Sequence, residues 1–217
     1  MRTRVKICGI KNAGDARAAV AGGADALGFV FHKPSVRYIS PDRAAEIISE
    51  LPAFVDTVGV VVDLEAAELD NIARASGIRY FQFHGDEDPR FCAAAGLPFL
   101  KAVRIRPDTD IAASADRYAG AKGLLLDAFA EDLAGGTGNT FDWSRIPAAL
   151  PVPLFLAGGL NAGNVANAIR RVRPYGVDVS SGVEGLPGVK DPGKIIEFLR
   201  TVMEIDSELR QARRTDT

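Results

Sequence analysis

Short runs of β-branched, aliphatic and aromatic residues recur at Val5–Cys8, Ala26–Phe31, Val55–Val62, Tyr80–Phe83, Phe99–Val103, Gly123–Leu126, Leu154–Leu156 and Gly176–Val179, and each reads as a strand. Between them the apolar positions return every three or four residues in stretches rich in Ala, Leu, Arg and Glu, which predicts helices at Asn12–Ala21, Pro41–Leu51, Leu64–Ala75, Asp88–Ala95, Asn161–Val172 and Pro192–Ile205. Weaker patterns at Asp108–Tyr118 and Asp142–Leu150 are interrupted by Pro107, Pro147 and Pro151. Strict alternation of strand and helix predicts a parallel sheet, because parallel neighbours need a crossover. Eight strands at about 27 residues per unit predict an α/β fold closed into a (β/α)8 TIM barrel, where an open doubly wound sheet more often uses five or six.

Ser40-Pro41 and Asp191-Pro192 place a capping side chain before a proline at the first helical position, and Asn161 is a candidate cap for the helix after Gly159. No linker or low-complexity tract divides the chain. The pattern predicts one catalytic domain over 1–206 and a polar, frayed tail, Ser207–Thr217.

Composition narrows the function classes. The chain has 217 residues, 47% hydrophobic and 25% charged, with a formal net charge of −2. This is the profile of an ordinary globular domain, without a basic run for nucleic acid or an anionic membrane. A small polar metabolite is the better partner. Two cysteines, Cys8 and Cys92, make no disulfide framework. The first apolar run is broken by Lys6 and Gly9, so no signal segment is expected, and the expected setting is the cytoplasm.

In a barrel of this kind chemistry sits at the C-terminal ends of the strands. The last two units end in Leu154-Phe-Leu-Ala-Gly-Gly-Leu160 and Val177-Asp-Val-Ser-Ser-Gly-Val-Glu-Gly185. Small residues there let backbone N–H groups approach a ligand, and the pair predicts a phosphate grip. Strand one ends at Cys8, a base, a nucleophile or a packed small side chain. Strand six ends at Asp127, a carboxylate after three leucines, which suits a catalytic acid or a capping role. Strand four ends in Gln82-Phe-His-Gly85, where His84 is an acid, a base or a polar liner; with His32 the only other histidine, no metal site is expected. Asp178, flanked by valines within strand eight, needs a partner or a ligand. In the loop after strand two, Arg37 can clamp a carboxylate or pair with a surface acid. Asp63, Lys101 and Arg104 read as rim charges and Cys92 as packing. The loop Gly135-Gly-Thr-Gly-Asn-Thr140 lacks the Lys-Ser/Thr ending of a nucleotide-binding loop and suits a lid.

Taken together, these segments resemble the phosphoribosylanthranilate isomerase family of tryptophan biosynthesis. The likeness rests on Val5-Lys-Ile-Cys-Gly-Ile10, Gly28-Phe-Val-Phe31, Ser35-Val-Arg-Tyr38 and Val58-Gly-Val-Val-Val-Asp63. It continues through Gln82-Phe-His-Gly-Asp-Glu87, Asp127, Gly135-Gly-Thr-Gly138, Phe141-Asp-Trp143, Ala157-Gly-Gly-Leu-Asn161 and Asp178-Val-Ser-Ser-Gly-Val-Glu184. The resemblance implies an Amadori rearrangement of N-(5′-phosphoribosyl)anthranilate without cofactor or metal, in a monomer or homodimer. It implies that Asp127 is the general acid, Cys8 the general base and Arg37 the holder of the anthranilate carboxylate, with Gly158, Gly159, Ser181 and Gly182 in the phosphate loops. Two positions depart from the family pattern, Val36 where proline is common and Asn139 where lysine is common; Val36 relaxes the φ restraint before Arg37. Cys8 must ionise and Asp127 must carry a proton, and what stabilises a Cys8 thiolate is not legible in the chain. A histidine-pathway aminoaldose isomerase and a non-catalytic phosphometabolite-binding barrel are the alternatives at this point.

Overall fold

The computed structural model describes residues 2–128 and 141–215. In chain order the elements are β1 (Arg4–Cys8), α1 (Ala13–Ala21), β2 (Ala26–Val30), α2 (Pro41–Ser49), β3 (Asp56–Val61), α3 (Ala66–Ser76), β4 (Tyr80–Phe83) and α4 (Pro89–Ala94). They continue with β5 (Phe99–Ile105), α5 (Ile111–Arg117), β6 (Gly123–Ala128), β7 (Leu154–Leu156), α6 (Val165–Val172), β8 (Gly176–Val179) and α7 (Pro192–Thr215). Strands β1 to β8 are hydrogen-bonded in sequence order and parallel, and β1 pairs with β8 to close the barrel. A two-stranded hairpin, β9 (Glu184–Leu186) and β10 (Val189–Lys190), rises between β8 and α7.

Side-chain parity along each strand sorts the interior into two layers. Val5 and Ile7, Phe81 and Phe83, and Val177 and Val179 face the helices in the main core. Leu124 and Leu126 pack under α5. The alternate positions therefore face the lumen, where Cys8 meets Val30 and Val60, and Leu125 meets Ala102, Phe155 and Ala157. Lys6, Cys8, Gln82, His84, Asp127, Asp178 and Ser180 all share that lumen parity.

Helix starts follow local chemistry. Ser40 accepts from Arg43 N, Asp88 from Arg90 N, and Asp191 from both Gly193 N and Lys194 N. Three expectations are corrected. Asn161 is not the cap of α6: its side chain accepts from Gly163 N in a turn, Asn164 is the N-cap, and α6 begins at Val165. The extra turn is spent on the loop, where Asn164 bonds both Asn161 N and Gly159 O at 2.9 Å. The helix expected at Asp142–Leu150 is a single 3-10 turn, Trp143–Arg145, since Pro147 and Pro151 remove the donors a longer helix needs. The tail expected to fray from Ser207 continues α7 to Thr215, with Leu209 packed against the core. The Gly135–Thr140 loop and Asn139 lie outside the described residues.

Candidate active site

The mouth of the barrel collects the C-terminal ends of β1, β4, β6, β7 and β8. Cys8 ends β1 and is 6% exposed. A Cβ on Gly28, its neighbour on β2, would stand 2.8 Å from Cys8 Sγ, so glycine is what makes room for the thiol. Asp127 lies on β6, three strand steps from β1 by way of β8 and β7, and so faces Cys8 from another sector of the lumen.

Asp127 and His84 form one unit. His84 Nε2 lies 3.1 Å from Asp127 Oδ2, and Gln82 Nε2 lies 3.0 Å from His84 Nδ1. With the Gln82 amide donating, His84 Nδ1 accepts and Nε2 carries the hydrogen to Asp127. Gln82 is fully buried and its Oε1 has no partner among the described residues. This arrangement steers one carboxylate oxygen of Asp127 toward His84 and leaves the other for the lumen.

Arg37 lies in the loop after β2, against Gly9, the residue that follows Cys8. Its stem crosses Gly9, where a Cβ would come within 2.9 Å of Arg37 Cδ and where φ is +83°, a conformation that favours glycine. Its Nε and Nη2 donate to both oxygens of Glu184 at 2.7 and 2.8 Å. The partner is thus an acid on the hairpin after β8, a planar fork-to-fork pair. The Nη1 side of the guanidinium makes no hydrogen bond to the described residues and stays available to a second carboxylate. Glu184 also accepts from Lys190 Nζ at 2.9 Å and from Gly188 N at 3.0 Å. Burial pushes the Glu184 carboxyl upward, but the bonds from Arg37 and Lys190 outweigh it and hold the group at about 2. Val36, 59% exposed, fills the position before Arg37, and its carbonyl takes the Lys11 ammonium at 2.9 Å. The loop is thereby restrained without proline.

The two glycine loops meet each other. Gly158 and Gly159 have φ of +77° and +68°, and their N–H groups donate to no described residue. A Cβ on Gly182 would stand 1.9 Å from Leu160 O, so the backbones of the β7 and β8 loops touch only because residue 182 has no side chain. Ser181 and Gly182 form the short 3-10 turn beside this contact. The result is a backbone-lined cradle with unspent donors, suited to an anion such as a phosphate.

Asp178 is not at the mouth. It lies one repeat deeper, bonded to Lys6 at 2.7 Å, and both side chains are buried. Lys101 also departs from its expected rim position: it is 3% exposed on the outer face of β5, bonded to Glu87, Phe83 O and Gly85 O. Asp63 and Arg104 are exposed as expected. Among the described residues no group of three or more His, Cys, Asp and Glu side chains is arranged to hold a metal ion.

A sequence model of the family described as N-(5′-phosphoribosyl)anthranilate (PRA) isomerase matches residues 5–201. The chain belongs to that family. It is 54% identical over 202 residues to the N-(5′-phosphoribosyl)anthranilate isomerase of Nitrosospira multiformis, covering 93% of this chain and 97% of that one. The crystal structure of phosphoribosyl anthranilate isomerase from Thermotoga maritima superposes with a TM-score of 0.83 at 40% identity, covering 93% of this chain and 99% of that one. A phosphoribosyl anthranilate isomerase in complex with reduced 1-(o-carboxyphenylamino)-1-deoxyribulose 5-phosphate superposes at 0.80 with 39% identity over the same shares.

Among the residues brought together at the mouth, Cys8, Arg37, His84, Asp127, Gly158, Gly159, Ser181 and Gly182 were legible in the chain. Gln82, Glu184 and Lys190 were not, nor was Lys6 in the layer below. Lys6 and Gln82 carry a signal that could have found them, since each precedes a singled-out residue by two positions and so shares its face.

Proposed function

We propose that this protein catalyses the Amadori rearrangement of N-(5′-phosphoribosyl)anthranilate to 1-(2-carboxyphenylamino)-1-deoxyribulose 5-phosphate in tryptophan biosynthesis. The observation that carries the reading is the pairing, within one mouth, of a glycine cradle with unspent N–H donors and two proton-transfer groups on separate strands. The cradle of Gly158, Gly159, Ser181 and Gly182 takes the phosphate. The free edge of Arg37 takes the anthranilate carboxylate, its other edge being fixed by Glu184. Asp127, with one oxygen held by His84, gives its proton to the furanose ring oxygen, and the ring opens to a Schiff base. Cys8 then takes the proton from C2′, and the electron pair moves into the C1′–C2′ bond to give an enolamine that tautomerises to the ketone. No external oxidant or reductant enters, because hydrogen moves within one molecule.

The catalytic unit we assign is the barrel of residues 1–206, extended by helix to Thr215. We place it in the cytoplasm, working as a monomer or homodimer. Among the described residues no helix is long and apolar enough to cross a membrane.

Decay of anthranilate fluorescence on mixing the protein with freshly generated phosphoribosylanthranilate tests the reading, beside Cys8→Ala and Asp127→Asn. Fast decay in the native chain, lost in both variants, is the expected result. Binding of the substrate without turnover in the native chain would instead favour a binding barrel. Turnover of the histidine-pathway aminoaldose in preference would move the substrate assignment.

A further inference from the structure

A base on Cys8 faces an energetic obstacle. Burial, the largest influence on this thiol, holds its pKa above the ordinary value. An anion formed there in an apolar setting beside Val30 and Val60 needs a cation within reach. Two buried ammonium groups surround it. Lys190 has three bonds, to Ser180 O at 3.0 Å, Ser180 Oγ at 3.3 Å and Glu184 at 2.9 Å, which match the three donors of an ammonium. Among the described residues Lys6 makes one hydrogen bond, to Asp178 at 2.7 Å, and stands on the same strand face as Cys8, one repeat deeper. Two residues apart on one strand, the buried Lys6 and Cys8 side chains leave β1 on the same lumen face.

We propose that the buried Lys6 ammonium, anchored on Asp178, is the counter-ion on which Cys8 relies when it ionises to act as a base. Lys6 is then a positioning residue for the proton transfer, and the inference rests on the reading of Cys8 as the base. The geometry assigns opposite signs to the two members of one ion pair. Lys6 favours the thiolate and Asp178 opposes it by its own negative charge and by drawing on the same ammonium. The charged groups that act on the thiol are Lys6 from β1, Asp178 from β8 and Lys190 from β10, while Arg37 crosses the neighbouring Gly9 with its stem and directs its head to Glu184.

The pH dependence of Cys8 alkylation by iodoacetamide, followed by peptide mass spectrometry so that Cys92 is scored separately, tests this without reference to turnover. Lys6→Met should move the midpoint up by about one pH unit or more, and Asp178→Asn should move it down. The same Lys6→Met protein should lose kcat far more than it changes KM and regain part of it at high pH, while Lys6→Arg keeps the native midpoint within a few tenths. Shifts of the same sign in the two variants, or no shift in either, would overturn the proposal. If Lys6→Met does not fold, the sign of the Asp178→Asn shift decides alone. Retained activity in Cys8→Ala would remove the base reading yet leave these midpoints to be judged on their own.

Discussion

Two buried lysine–acid pairs, each beside a buried cysteine, stand on opposite faces of the same sheet. On the outer face, under α4, Lys101 bonds Glu87, Phe83 O and Gly85 O, and Cys92 packs with its thiol 3.9 Å from Glu87 O. In the lumen, Lys6 makes a single hydrogen bond to the described residues, to Asp178, and shares its strand face with Cys8. The difference lies in satisfaction rather than burial. Lys101 has spent every N–H on groups that shape the β4–α4 loop, and Tyr118 adds its ring 5.4 Å from the ammonium and its hydroxyl bond to Glu87 O. Its neighbour Cys92 is pushed up to about 11 by burial, and remains an inert thiol. A saturated cluster holds a loop in place; an unsaturated one facing a lumen can answer a change of charge.

The largest expected contrast is between the cysteines. Cys8→Ala should lower kcat by roughly 10²–10⁴-fold, the usual worth of one proton-transfer group, while Cys92→Ala leaves kcat within about twofold. Anthranilate fluorescence measures both, and equal losses would erase the distinction. Next comes the outer pair: Lys101→Met strands the Glu87 carboxylate and should cost about 3–5 kcal/mol of stability in urea unfolding, with kcat of the folded fraction unchanged. A large kcat loss there would mean that the outer cluster feeds the chemistry through His84.

Glu184 sharpens the same comparison, because it is saturated like Glu87 but stands at the mouth. Its folded value of about 2 lies below the ordinary 4.5, so its stabilisation is complete above pH 4.5 and is lost as pH falls toward 2. At about 1.4 kcal/mol per pH unit this amounts to on the order of 3 kcal/mol or less. Urea midpoints between pH 5 and 2.5 should fall for the native chain and fall less for Glu184→Gln, which should also raise KM about tenfold by releasing Arg37. The smallest effect belongs to Cys92→Ala on stability, about 1 kcal/mol for a small cavity.

The strand pattern was legible almost residue by residue because lumen and helix faces both demand apolar alternation, and a strand has only two faces. Helix starts were legible where a capping side chain precedes proline. Asn161 failed as a cap because the β7 loop uses it to shape the cradle, a demand set by Gly182 pressing on Leu160 from another unit. Lys101 was misread for a related reason: alternation shows that a residue faces one side, but not that a carboxylate from β4's loop waits there.

The amino-acid order by itself determined the eight repeating units and which side chains end each strand on the lumen face, since both follow from periods of two and 3.6 residues in local sequence. Tertiary closure alone decided the partners. Lys6 meets Asp178 across 172 residues and Arg37 meets Glu184 across 147, because the register of β1 on β8 places the first unit against the last. Such pairings depend on the stagger at which the barrel closes, which no local pattern encodes, and they determine which buried charges are spent and which remain free to act.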